Sequence, residues 1–122
     1  MRILVADDDR IVVTLLASLL RAKGHEVVPV FDAMQAIMYA MLPPAPGVII
    51  LDINMPGGTG VEAIKRLKSS HNTALIPVIV LSGTTDPQMP AKVKAIGADA
   101  FLSKPVDPAT LFATLAKVVP GS

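Results

Sequence analysis

Four apolar runs in this chain each lead into a residue that can do chemistry. Val48-Ile49-Ile50-Leu51 ends in Asp52, and Ile3-Leu4-Val5-Ala6 ends in Asp7-Asp8-Asp9. The run from Pro77 to Leu81 ends in Ser82, and Ala100-Phe101-Leu102 leads to Lys104. A carboxylate left at the edge of an apolar core needs a partner, so acid, acid, hydroxyl and amine read as one assembled site. Carboxylates a few ångströms apart cannot all stay ionised cheaply, and a hard divalent cation resolves that. Magnesium, with manganese as the alternative, takes oxygen ligands and keeps several waters. Asp8 and Asp52 suit direct ligation, Asp7 suits a metal-bound water, and the main-chain carbonyl of Asn54 supplies another oxygen. A site with positions left open suits a phosphoryl group better than a closed cage. Lys104 is then the point cation for one phosphoryl oxygen and Ser82 the hydroxyl for another. Asp52 is the nucleophile, forming an aspartyl phosphate.

The elements that must position these residues alternate along the chain. Strands are expected over 3–6, 26–31, 48–51, 77–81 and 100–102. Helices are expected over 10–23, 33–41, 60–69, somewhere in 88–96, and over 108–118. Asp9, Asp32 and Asp107 stand where N-caps belong, and Gly24 and Gly97 where helices stop. Ile11, Leu15, Leu16, Leu19 and Leu20 fall at helix period and read as core; Met34, Met38 and Met41 read as core filler. Strands alternating with helices imply an α/β fold, a parallel sheet covered on both faces. The expected architecture is a flavodoxin-like (βα)5 three-layer sandwich of strand order 2-1-3-4-5. Such a sheet binds ligands at the carboxyl ends of its strands, beside the switch between strands 1 and 3, which is where Asp7, Asp8 and Asp52 fall.

Composition excludes several alternatives. At 122 residues the chain is one domain with one core. A net charge of +1 and 3% aromatic content argue against direct nucleic-acid binding. The longest largely apolar stretch, residues 11–20, is too short to insert in a membrane. The opening Met1-Arg2-Ile3-Leu4-Val5 meets acids where a signal peptide would be apolar, so the expected location is cytoplasmic. With no cysteine, thiolate chemistry is out.

The chain resembles the receiver domain of bacterial two-component response regulators, of the single-domain chemotaxis type. The resemblance rests on Asp7-Asp8, on Asp52-Ile53-Asn54-Met55-Pro56 with Gly60, on Ser82, and on Phe101-Leu102-Ser103-Lys104-Pro105, in order and at the family's separations. It implies a receiver over 1–119 with a short tail over 120–122. It implies a phosphoryl group taken from a phosphohistidine on a sensor histidine kinase or a histidine phosphotransfer protein. Ser82 would then move toward that group and Phe101 swing inward behind it. The surface of helix 4, strand 5 and helix 5 would switch, controlling an output protein or a fused effector domain. Asn54 and Thr84 would tune the lifetime of the phosphate. A receiver of this kind is a signalling module that assists its own phosphorylation and dephosphorylation.

Two other readings compete. One is a receiver-like interaction module that works without phosphorylation, which the complete acid, hydroxyl and lysine set disfavours. The other is a magnesium-dependent phosphatase with an aspartyl intermediate, for which Asp7-x-Asp9-x-Ile11 is an imperfect match. Pro87 and Pro90 mark the departure from other receivers: helix 4 should start late, near Pro90, or be short.

Overall fold

A computed structural model describes residues 1–55, 59–83 and 85–120. Thus Pro56, Thr84 and the last two residues of the expected tail lie outside the described residues. The strands are β1 (Arg2–Ala6), β2 (Glu26–Val30), β3 (Val48–Asp52), β4 (Val78–Ser82) and β5 (Ala100–Ser103). The helices are α1 (Arg10–Ala22), α2 (Ala33–Met41), α3 (Gly60–Ser69), α4 (Met89–Ala95) and α5 (Pro108–Val118). All five strands are parallel, in the order β2-β1-β3-β4-β5. The fold is therefore the expected flavodoxin-like three-layer arrangement.

Local chemistry sets the boundaries. Asp9, Asp32 and Asp107 each accept a backbone N–H from the first turn of the helix that follows, relieving donors that a helix start leaves unpaired. Thr59 does the same for α3. Gly24 ends the α1 turn at φ +87°, a conformation that costs glycine nothing. Helix α4 has seven residues, with Pro90 in its first turn, as the prolines led us to expect.

Strands β3 and β4 are buried at every residue. Their alternating side chains feed two cores. Ile49, Leu51, Val78 and Val80 meet α2, α3 and α4 on one face. Ile50, Ile79 and Leu81 meet α1 and α5 on the other. Among the described residues no helix is long and apolar enough to cross a membrane.

Two core expectations fail. In α1 the buried residues are Val13, Leu16, Ala17 and Leu20, whereas Ile11 is 81% and Leu15 52% exposed. The helix carries more apolar residues than its one buried stripe can hold, and the sheet selects the stripe. In α2 the buried face is Ala33, Ala36, Ile37 and Ala40. Small residues let the helix lie close to the sheet, and Met34, Met38 and Met41 are turned outward, 49%, 54% and 39% exposed.

Candidate functional site

Register brings the chemistry together. Ala6 pairs with Leu51 across β1 and β3, so Asp7 and Asp52 leave adjacent strands at the same level. Asp52 pairs with Leu81, which places Ser82 one step beyond it on β4. Ser82 pairs with Ser103, and the Lys104 amide donates to the Ser82 carbonyl at 2.8 Å. Three parallel strand pairings thus put residues 7, 52, 82 and 104 at one end of one sheet.

Carboxylate oxygens of Asp7, Asp8 and Asp52 lie within 4.8 Å of one another. Asp7 and Ser82 are fully buried, Asp52 nearly so, and Asp8 is exposed. The Asp9 amide donates to Asp7 Oδ1 at 2.9 Å. The same turn that starts α1 therefore also fixes the Asp7 carboxylate. Lys104 Nζ stands 2.7 Å from Asp7 Oδ2 and 3.3 Å from Asp52 Oδ1, bridging both acids. At 2.7 Å the ammonium pairs with a buried carboxylate oxygen that has lone-pair capacity for a further partner.

Electrostatics follow from this crowding. Burial, and then the facing charge of Asp7, push the Asp52 carboxyl above its ordinary range; Lys104 and the Asn54 amide only partly offset them. For Lys104, burial acts to lower the ammonium. Its contacts with Asp7 and Asp52 outweigh that and hold it above the usual lysine range. The mutual repulsion, the clustered oxygens and the under-coordinated Asp7 Oδ2 are what a hard divalent cation would satisfy. The donor set fits one.

The loop after Asp52 is held by contacts that sequence spacing does not reveal. Asn54 bridges back to Thr59, and the Gly60 amide donates to the Ile53 carbonyl at 2.8 Å. A Cβ on Gly60 would stand 2.5 Å from Ile53 Cα and 2.7 Å from its oxygen. Only glycine permits that approach, so Gly60 sets the backbone that follows Asp52. Gly83, next to Ser82, has no such constraint: its added Cβ would meet nothing within 4 Å.

Phe101 is half-buried on β5, where it packs toward the α2–α4 core and borders the groove between α4 and α5. Thr84 lies outside the described residues. Two further features went unread in the sequence. Arg10 stacks on Phe31 with 4.1 Å between guanidinium carbon and ring centroid, at the site end of α1. At the opposite end of the sheet, Lys68 Nζ holds the Ile76 carbonyl (2.8 Å) and Asp99 (3.2 Å), while Asp99 accepts the Val78 amide at 2.8 Å. Asp99 is thus more than the turn residue its position suggests.

Comparison with known proteins agrees with this geometry. Residues 3–116 match the family model of the response regulator receiver domain. Protein PilH of Pseudomonas aeruginosa is 36% identical over 98% of this chain and 98% of its own length. The chemotaxis response regulator CheY4 of Vibrio cholerae superposes with a TM-score of 0.89 at 32% identity, over 97% of this chain and 98% of that one. The receiver domain of the sensor histidine kinase PA1611 from Pseudomonas aeruginosa superposes with a TM-score of 0.86 at 25% identity, over 95% of this chain and 94% of that one. That structure holds a magnesium ion coordinated in its active-site cleft. Among curated relatives, the chain spans from 16% to 98% of the relative's length.

Proposed function

The chain belongs to the response regulator receiver domain family of signalling proteins, and from that membership we propose that it takes a phosphoryl group on Asp52 from a partner's phosphohistidine. The carrying observation is Lys104, which bridges Asp7 and Asp52 at 2.7 and 3.3 Å beside clustered acids. The bond between histidine nitrogen and phosphorus breaks, a bond from Asp52 Oδ to phosphorus forms, and the imidazole leaves with the electron pair. Water later attacks the phosphorus and releases inorganic phosphate, restoring Asp52.

Asp7, Asp8 and Asp52, with the Asn54 carbonyl, would hold magnesium or manganese. The ion would neutralise charge that builds on the phosphoryl oxygens. Lys104 pairs with one of those oxygens, and the Ser82 hydroxyl donates to another. The donor is a sensor histidine kinase or a histidine phosphotransfer protein. Ile11, the second residue of α1 and 81% exposed, offers it apolar surface close to Asp8.

Movement of Ser82 toward the phosphoryl group frees space for Phe101, and the face of α4, β5 and α5 changes. The groove on that face, bordered by Pro90, Lys94, Phe101 and Lys117, is where an output protein or fused effector reads the state. Phosphorylation here biases a two-state element rather than turning over an external substrate.

Acetyl phosphate with magnesium should add the mass of one phosphoryl group to the wild type. Asp52→Asn should add none, and wild type with excess chelator should add far less. Equal labelling of Asp52→Asn would remove Asp52 as the acceptor.

A further inference from the structure

Helix α2 is apolar on both sides. Ala33, Ala36, Ile37 and Ala40 are buried against the sheet, and Met34, Met38, Met41 and Leu42 form an outward stripe, each 39–54% exposed. A helix without a polar face is one that neighbours bury from both sides. Among the described residues only one side is covered. The methionines are spaced four then three residues apart, as in the seam of a coiled coil, and the nine-residue helix contains no Asp, Glu, Lys or Arg.

Charge decides what can cover the stripe. A two-fold contact sets every residue near its own copy, so any charge close to the axis faces a like charge. α2 presents none. The stripe is also nearly symmetric about Met38: in an antiparallel crossing Met38 meets Met38 of the second copy, and Met34 meets Met41. Thioethers fill such a seam without demanding one packing. The other exposed apolar pair, Ile11 and Leu15, shares its groove with Arg10 and would set guanidinium against guanidinium. A net charge of +1 adds little long-range repulsion between copies.

We propose that a second copy of this chain docks on α2, forming a two-fold dimer through Met34, Met38, Met41 and Leu42. The helix is roughly 13 Å long, far short of the ~800 Å² per partner that a stable complex buries. The dimer is therefore weak and reversible, with a Kd on the order of 0.1–1 mM. It needs no phosphoryl group, and it leaves α1 and α5, on the other face of the sheet, uncovered.

Sedimentation equilibrium from roughly 10 μM to 1 mM brackets a contact of this size. The weight-average mass should rise toward twice the monomer. Met38→Glu should weaken association at least about tenfold, Met38→Leu should retain it, and Leu15→Glu should leave it unchanged. Amide shifts of the wild type that change on dilution should map to residues 33–42, a readout that needs no variant to fold. A chain monomeric at about 1 mM, association that Met38→Glu leaves intact, or dilution shifts centred on α1 or α5 would each overturn the dimer. In the first case the stripe is left to a different protein.

Discussion

Replacing Asp52 by Asn should stabilise the fold while abolishing phosphoryl uptake. Asp52 faces Asp7 and Asp8 within 4.8 Å and Lys104 at 3.3 Å. At the effective dielectric that suits such sites, each repulsion is about 3.5 kcal/mol and the attraction about 5 kcal/mol. Asp8 is exposed, so its share is reduced by solvent. Desolvation of the nearly buried carboxylate adds to the unfavourable side, and the raised Asp52 pKa carries the same sign. The net cost of the charge is on the order of 1–2 kcal/mol, or roughly 4–8 °C in Tm for a domain of this size.

The assay is thermal unfolding of both proteins in chelator at pH 7. A carboxyl raised in the folded state favours folding below its unfolded pKa, and that benefit is lost as pH rises through the folded pKa. The advantage of Asp52→Asn should therefore be full at pH 7, narrow as pH falls through the raised folded pKa, and vanish below about 3.9. Magnesium should reverse the order, because the wild type gains about 2.7 kcal/mol at a hundredfold excess over Kd and the variant gains less. A variant no more stable than wild type at pH 7 in chelator would refute the account of Asp52 as a strained, incompletely paired acid.

Lys104→Met removes the shared cation and should destabilise the chelated protein by about 1–3 kcal/mol in urea unfolding, while tightening magnesium binding, since the ion then has no competitor for Asp7 and Asp52. The Lys104 contribution is full at neutral pH and should fade only as pH rises through its raised folded pKa. Gly60→Ala should cost more than about 2 kcal/mol, because its Cβ would be 2.5 Å from Ile53 Cα; Gly83→Ala, with open space around it, should stay within about 0.5 kcal/mol. Asp99→Ala strands the Val78 amide and one Lys68 bond, and should lower stability by about 1–3 kcal/mol without changing phosphoryl uptake.

Much of this molecule is legible in one dimension because strands are short and the side-chain chemistry sits where they end. Val48 to Leu51 has no polar residue, so it must be buried on both faces, and the first polar residue after it must be at the sheet's end. Parallel pairing then brings Asp7, Asp52, Ser82 and Lys104 to one level with no further information. The caps at Asp9, Asp32 and Asp107 were equally readable, since an Asp before an apolar-periodic run satisfies donors that the helix itself cannot; the Thr59 cap was not read. The Gly60 contact was less so: a glycine eight residues after Asp52 can be seen, but the approach to Ile53 is a property of the folded loop. The Lys68–Asp99 clamp joins residues 31 apart, and no local pattern announces it.

Helix faces were the harder problem, for a physical reason. Periodicity assigns a buried stripe when one side is polar. In α1 and α2 apolar residues occur on several sides, so hydrophobicity does not choose the orientation. The choice falls to shape. α2 turns its alanines and Ile37 inward because they allow a close approach to the sheet, and its bulkier methionines go outward although they are as apolar as the core. α1 buries Leu16 and Leu20 but leaves Ile11 exposed near Asp8. The residues that periodicity misassigned are therefore those that packing rejected, and they now face solvent as apolar surface. Strand ends gather the acids, the hydroxyl and the lysine in this fold, and the apolar positions that the core leaves over on α1 and α2 face solvent.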